Sequence, residues 1–143
     1  MSEATGPISV NYPDYKAGTS GKIIDGIDTK VINEIAPGEG ELCFRGRNMF
    51  MGYLADPEES AKAIDEYGYV HSGDIGKIDE DGYLVITGRV KDLLITSGGE
   101  NVAPTLVEST IISAMPAISR AFAIGDQRKF ISVLMIPAVD EKG

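Results

Sequence analysis

The sequence predicts a strand-rich α+β fold, and three observations carry that prediction. Glycine and Asp-Gly punctuation cuts the first two thirds of the chain into short apolar runs of strand length. One segment there, after Asp56, has the chemistry of a helix start. From Pro104 the apolar spacing turns helical, then returns to two strand-like runs.

The elements follow in order. Ile23 and Ile24 precede Asp25-Gly26, and Val31 and Ile32 follow, which predicts a hairpin or tight strand pair. Pro37-Gly38-Glu39-Gly40 marks a turn. Residues 41–45 alternate, with Leu42 and Phe44 on one face and Cys43 and Arg45 on the other, as in a half-buried strand. Asp56 can cap a short helix, Pro57 suits its first position, Glu59 completes a capping-box spacing, and Gly68 is expected to stop it. Residues 69–71, 75–78 and 83–87 read as strands of a meander, with Asp79-Glu80-Asp81-Gly82 as a turn. Such a meander needs closure or a cover for its edges, so a β-barrel-like subdomain is expected. Arg89-Val90-Lys91-Asp92 is a charged break between apolar strands and is read as a domain boundary. Beyond it, residues 93–96 form a strand and residues 97–100 a tight loop. A helix runs between Pro104 and Pro116, with Leu106, Val107, Thr110, Ile111, Ala114 and Met115 on one stripe. Residues 121–124 and 131–136 complete three strands for that stripe to cover, and this second domain is expected to be cut short at Gly143.

Composition bounds the function. A chain of 143 residues supports one medium domain or two small ones. Thirteen Lys+Arg against 22 Asp+Glu give a net charge of −9, which argues against nucleic acid as a partner, because phosphate contacts need clustered basic residues. No apolar run approaches the roughly 20 residues of a membrane helix, and no secretory signal follows Met1. One cysteine excludes an internal disulfide and any multi-cysteine zinc site. The expectation is a cytoplasmic protein.

Local chemistry is weaker than it first looks. His71-Ser72-Gly73-Asp74 holds the residue types of a hydrolase triad, but neighbours in a strand point to opposite faces and cannot form the relay. Gly18-Thr19-Ser20-Gly21-Lys22 fails the Walker pattern, with Lys16 and Ile23 where glycine and Ser/Thr are needed, so turn glycines are the better reading. Gly98-Gly99 has no dinucleotide-fingerprint spacing. Cys43 reads as a small core or flank residue rather than a nucleophile, and His71 lies too far along the chain to be placed beside it. Asp74 offers two acceptor oxygens at a Ser-Gly-Asp turn and can accept from vicinal hydroxyls such as those of a ribose; a turn-forming role competes with that reading. Arg89 can pair with a phosphate or carboxylate, or stand as a solvated linker charge.

The whole series is more specific than its parts. Gly40-Glu41-Leu42-Cys43-Phe44-Arg45-Gly46 followed by Met49, Gly52 and Tyr53 resembles a signature of the adenylate-forming enzymes, which include acyl-CoA synthetases, luciferases and peptide-synthetase adenylation domains. Tyr69-Val70-His71-Ser72-Gly73-Asp74 resembles their next signature, and Asp81-Gly82-Tyr83 with Gly88-Arg89-Val90-Lys91-Asp92 the one after it. Gly98 through Pro104 continues that block, and Met1-Ser2-Glu3 resembles the tail of an earlier one. Within the superfamily, Ser2-Glu3-Ala4-Thr5-Gly6-Pro7, Gly98-Gly99-Glu100-Asn101 and Gly125-Asp126-Gln127-Arg128-Lys129-Phe130 resemble the bubblegum type of long-chain acyl-CoA synthetase, as does Leu106 where most members carry an acidic residue.

The resemblance implies two half-reactions. A fatty carboxylate attacks the α-phosphate of ATP to give an acyl adenylate, and the thiol of coenzyme A then displaces AMP. By position, Ser2 would bond the α-phosphate, Glu3 would help hold Mg²⁺, Asp74 would accept both ribose hydroxyls, Arg89 would bind ribose or phosphate, and Ile86 would line the nucleotide pocket. Lys91 matches a hinge between an adenylating and a thioester-forming pose, and Gly98 would sit by the pantetheine tunnel. Residues 1–88 would then be the end of the large domain, 89–92 the hinge, and 93–143 the first part of the small domain. The phosphate-binding loop and acyl tunnel are expected upstream, and the adenylation lysine beyond Gly143. The chain alone is therefore expected to be inactive, its parent peripheral on an intracellular membrane, and the excised small domain prone to dimerise or swap. A non-catalytic module that binds a nucleotide or a partner protein is the alternative, and a peptide-synthetase adenylation domain a weaker one.

Overall fold

Two short strands, β1 (Ser9–Val10) and β2 (Lys22–Ile23), pair antiparallel ahead of the main sheet. The chain then turns at Gly26, φ 89°, and enters β3 (Ile27–Ala36), whose partner is β4 (Glu39–Gly46). Pro37 and Gly38 form the connecting turn: proline presets the first φ, and Gly38 takes the left-handed second one at 72°. β4 also pairs with β5 (Val70–Ile78), and β6 (Leu84–Arg89) completes a four-stranded sheet of order β3-β4-β5-β6. This computed structural model describes residues 1–139, and the chain divides into two compact units, Met1–Ile86 and Thr87–Gly143.

The strand-rich α+β class is observed. Closure is not: among the described residues the main sheet stays open and no barrel forms. The β6 edge is covered instead. The Ser20 N–H donates to the Leu84 carbonyl and the Leu84 N–H to the Gly21 carbonyl, both at 2.8 Å, so the glycine-bearing segment 18–22 hides that edge. Asp25-Gly26 is not a hairpin turn. It passes the chain from the β1–β2 pair to the main sheet, because each flanking strand finds a different partner.

Leu42, Phe44 and Leu84 are buried on one face of the sheet, packed with Ile8, Ile23, Ile27, Val31 and Met49. Cys43 is fully buried as well, so central strand β4 is enclosed on both faces there. The helix α1 (Pro57–Ala63) starts as its sequence dictates, the Asp56 carboxylate accepting from the Glu59 N–H at 3.0 Å. It ends at Ile64, before Gly68. Gly68 belongs to the next turn, where Asp65 Oδ1 accepts from the N–H groups of Tyr67 and Tyr69 at 2.9 Å each. The two strands expected on either side of Ser72-Gly73-Asp74 are one strand, β5, interrupted by a bulge.

In the second unit, a 3-10 turn (Val90–Asp92) leads to β7 (Leu94–Ile95), which pairs with β8 (Asn101–Val102). The helix α2 (Pro104–Ala114) follows, and then β9 (Ile118–Ile124) pairs with β10 (Ser132–Pro137). The expected three-stranded sheet is therefore two hairpin-like pairs. They are tied by the 125–129 loop: the Gln127 N–H donates to the Ile95 carbonyl at 2.8 Å and the Ser97 N–H to the Arg128 carbonyl at 2.9 Å. The helix covers β9 with a narrower face than expected. Val107 and Ile111 are half-buried, while Leu106, Thr110, Ala114 and Met115 are exposed. Glu108 fixes the contact by accepting the Ala123 N–H at 2.8 Å. Among the described residues no helix is long and apolar enough to cross a membrane.

Candidate functional site

Asp74 owes its position to the bulge in β5. Cys43 pairs with His71 and Glu41 with Ile75, so one residue of β4, Leu42, faces three residues of β5, Ser72, Gly73 and Asp74. Gly73 takes φ 69°, which admits glycine at no steric cost. The Ser72 hydroxyl accepts the Asp74 N–H at 3.0 Å and Glu41 accepts the Gly73 N–H at 3.3 Å. The turn role and the outward carboxylate are thus compatible: the Asp74 backbone and Ser72 build the turn, and the Asp74 side chain faces a cavity.

That cavity, about 220 Å³, is lined on one side by Phe44, Asp74, Leu84 and Ile86. Met1, Gly6, Pro7, Ile8, Ser9 and Ser20 line the other. Its wall mixes apolar side chains with two serines and one carboxylate, a composition suited to a flat ring and a hydroxylated sugar. Asp74 and Ile86 are therefore brought together, and Met1, the neighbour of Ser2, lines the same cavity. Ser2 itself is exposed.

Glu3 is held from two sides. Its carbonyl accepts the Phe50 N–H at 2.7 Å, and its carboxylate accepts the Tyr53 hydroxyl at 2.9 Å. The bond to the carboxylate, with partial burial and the negative charge beside it, raises the Tyr53 pKa. The Thr5 N–H donates to the Asn48 carbonyl at 2.8 Å, so the whole 3–5 segment is pinned to residues 48–50. Glu3 does not itself line the cavity; an oriented carboxylate of this kind fits Mg²⁺, which takes one or two protein carboxylates and completes its shell with phosphate oxygens and water.

Arg89 ends β6 in extended conformation, with φ −127° and ψ 143°, and Lys91 lies in the 3-10 turn that follows. Gly98 sits in the 97–100 loop of the second unit. A Cβ added there would meet Thr96 Oγ1 at 3.7 Å and nothing else within contact distance, and its φ is not left-handed. The chain's own packing does not require glycine at 98, which leaves room for the close approach of another molecule. Sequence reasoning did not single out Pro7, Ile8 and Ser20 as cavity residues, because they line it through the cover over the sheet, a long-range arrangement without local spacing. The clamp made by Tyr53 did leave a signal: that tyrosine closes the Gly40-to-Tyr53 signature.

Comparison with known proteins gives the relationship. Residues 91–143 match the AMP-binding enzyme C-terminal domain family. The long-chain-fatty-acid–CoA ligase ACSBG1 of Homo sapiens is 48% identical over 136 residues, which is 94% of this chain and 19% of that protein. An ATP-bound RpMatB-BxBclM chimera superposes with a TM-score of 0.74 at 31% identity, covering 93% of this chain and 28% of the other. The O-succinylbenzoate coenzyme A synthetase MenE of Bacillus subtilis, in complex with AMP, gives a TM-score of 0.67 at 26% identity, covering 99% of this chain and 31% of the other. The chain spans about a fifth of the length of the curated relatives it matches. The likeness in fold, the family-model match over residues 91–143 and the 48% identity along 136 residues agree: this segment is homologous to the long-chain acyl-CoA synthetases of the bubblegum type and, more broadly, to the adenylate-forming enzymes.

Proposed function

We propose that this chain is the ribose-binding end of the large domain, the hinge and the start of the small domain of an ATP-dependent long-chain fatty acid–CoA ligase. One observation carries the reading. Asp74 and Ile86 share the wall of a 220 Å³ cavity within a sequence that is 48% identical to such a ligase. Asp74 accepts both ribose hydroxyls of ATP, and Ile86 packs against the base. Ser2 bonds the α-phosphate. Glu3, oriented by Tyr53, would hold Mg²⁺ through a carboxylate oxygen, and the ion would supply neutralisation of phosphate charge.

The first half-reaction brings a fatty carboxylate to the α-phosphate of ATP, two anions that repel. The chain's residues act there by orientation and charge: Asp74 fixes the sugar, Ser2 and Arg89 hold phosphate or ribose oxygens, and the apolar wall excludes water. Coenzyme A then displaces AMP. Lys91 stands at the swivel between the two steps, and the open space at Gly98 admits the pantetheine arm. On this reading the 143-residue chain makes no acyl-CoA alone.

The test is ATP–pyrophosphate exchange by the full-length parent carrying Asp74→Ala. Two charge-assisted hydrogen bonds, each roughly 1.5–3 kcal/mol, are lost, so kcat/KM for ATP should fall by about 100-fold or more. Unchanged kinetics would remove the ribose assignment.

A further inference from the structure

The face of the sheet opposite the cavity carries a second cluster that the proposed reaction does not use. Lys30, Cys43 and His71 are register partners across β3, β4 and β5, and therefore form one cross-strand row. Glu41, two residues from Cys43, points to the same side. The ligating atoms of Glu41, Cys43 and His71 all lie within 4.8 Å of one another. His71 Nδ1 is 3.6 Å from Glu41 Oε2, and His71 Nε2 is 3.9 Å from Asp65 Oδ2. Asp65 also holds the Lys30 ammonium at 2.5 Å.

We propose that Glu41, Cys43 and His71 form a binding site for one thiophilic divalent cation of the zinc type. Thiolate, imidazole and carboxylate are the donor set of zinc, whereas Mg²⁺ and Ca²⁺ prefer oxygen alone. Tetrahedral zinc with bonds of about 2.0–2.3 Å sets its ligands roughly 3.3–3.8 Å apart. The three atoms must draw in by about 1 Å, a movement open to Glu41 and His71, whose side chains keep exposed edges. Asp65, behind the far nitrogen of His71, can orient the ring as carboxylates do at zinc-bound histidines.

The electrostatics favour a cation. Glu41 and Asp65 outweigh the single Lys30 ammonium, which leaves net negative charge around a buried thiol. Burial, then the Glu41 carboxylate, push the Cys43 thiol up to about 12. The thiol is protonated without metal, and binding releases its proton to solvent while the sulfur becomes the ligand. Glu41 also accepts the Gly73 N–H through its other oxygen. An ion here therefore holds the residue that supports the bulge of Asp74.

The experiment titrates the reduced 143-residue chain with Co²⁺ as a spectroscopic probe and then with Zn²⁺. One equivalent of cobalt should bind with a sulfur-to-cobalt charge-transfer band in the near ultraviolet, and zinc should displace it while Mg²⁺ does not. Zinc affinity, read by competition with a chromophoric chelator, should drop at least about 10-fold in Glu41→Gln and in His71→Gln. Lys30→Met, which removes the competing ammonium, should tighten binding. Cobalt binding without the thiolate band in the unsubstituted chain would overturn the site, since it would mean surface carboxylates only. So would zinc affinity unchanged in both His71→Gln and Glu41→Gln, positions that are not fully buried. None of these readouts depends on the ribose assignment of Asp74.

Discussion

Gly76 and Gly98 are both glycines outside the left-handed region, yet the structure gives them opposite meanings. A Cβ on Gly76 would sit 2.3 Å from the Val85 carbonyl oxygen and 2.8 Å from Leu42 Cδ1. Backbone cannot yield there as a flexible side chain can. Gly76→Ala should therefore destabilise the first unit by about 1–3 kcal/mol or more, read as a lower urea midpoint. Gly98→Ala should leave the urea midpoint of the second unit, where it lies, unchanged, since only Thr96 Oγ1 lies near, at 3.7 Å. In the full-length parent it should slow thioester formation while pyrophosphate exchange persists. Loss of stability in Gly98→Ala would show that the glycine serves packing. The sequence alone does not separate the two glycines, because the distinction lies in atoms of strands remote along the chain.

At the scale of elements, the legible features are those decided within a few residues. The Asp56 cap, the Pro37-Gly38 turn and the Asp79 turn were all readable, and Asp79 Oδ1 accepts the N–H groups of Asp81 and Tyr83 at 3.0 and 2.8 Å as such a turn requires. Asp56→Ala should cost about 1 kcal/mol, measured as a shift in thermal midpoint with the sheet intact by circular dichroism. Features decided by pairing were not readable. Asp25-Gly26 has the composition of a hairpin turn, but β2 and β3 pair elsewhere. The apolar stripe of α2 suggested a wide buried face, whereas a polar residue, Glu108, fastens the helix to β9. The candidate site shows the same division. Asp74 was visible from its Ser-Gly-Asp setting, while the row through Lys30, Cys43 and His71 needed the register of three strands.

For the whole chain, acid sensitivity follows from paired aspartates spread over the first unit. The Lys30 ammonium, and then backbone N–H groups, hold the Asp65 carboxyl below the usual range. Lys16 does the same to Asp79, bonding it at 2.7 Å, and the Tyr69 hydroxyl and Arg45 do so to Asp28. A carboxyl lowered on folding adds stability that is fully present above its unfolded pKa of about 3.9. That stability is lost as pH falls through the lower folded value. Urea midpoints should hold from neutral pH to about pH 5 and then fall. Lys16→Met should flatten part of the fall, because it releases Asp79. An acid limb identical in Lys16→Met would show that this pair does not act in folding.

The bulge in β5 adds two residues opposite Leu42, an even number, so the alternation of inward and outward side chains runs unbroken through the strand. Removing Gly73 alone would make the count odd. Everything on one side of the deletion would then swap faces relative to the other, and Asp74 could no longer share a side with Ile86 while His71 kept company with Cys43. The strand tolerates length changes there only in pairs, which makes this tripeptide the register lock between the two faces of the sheet.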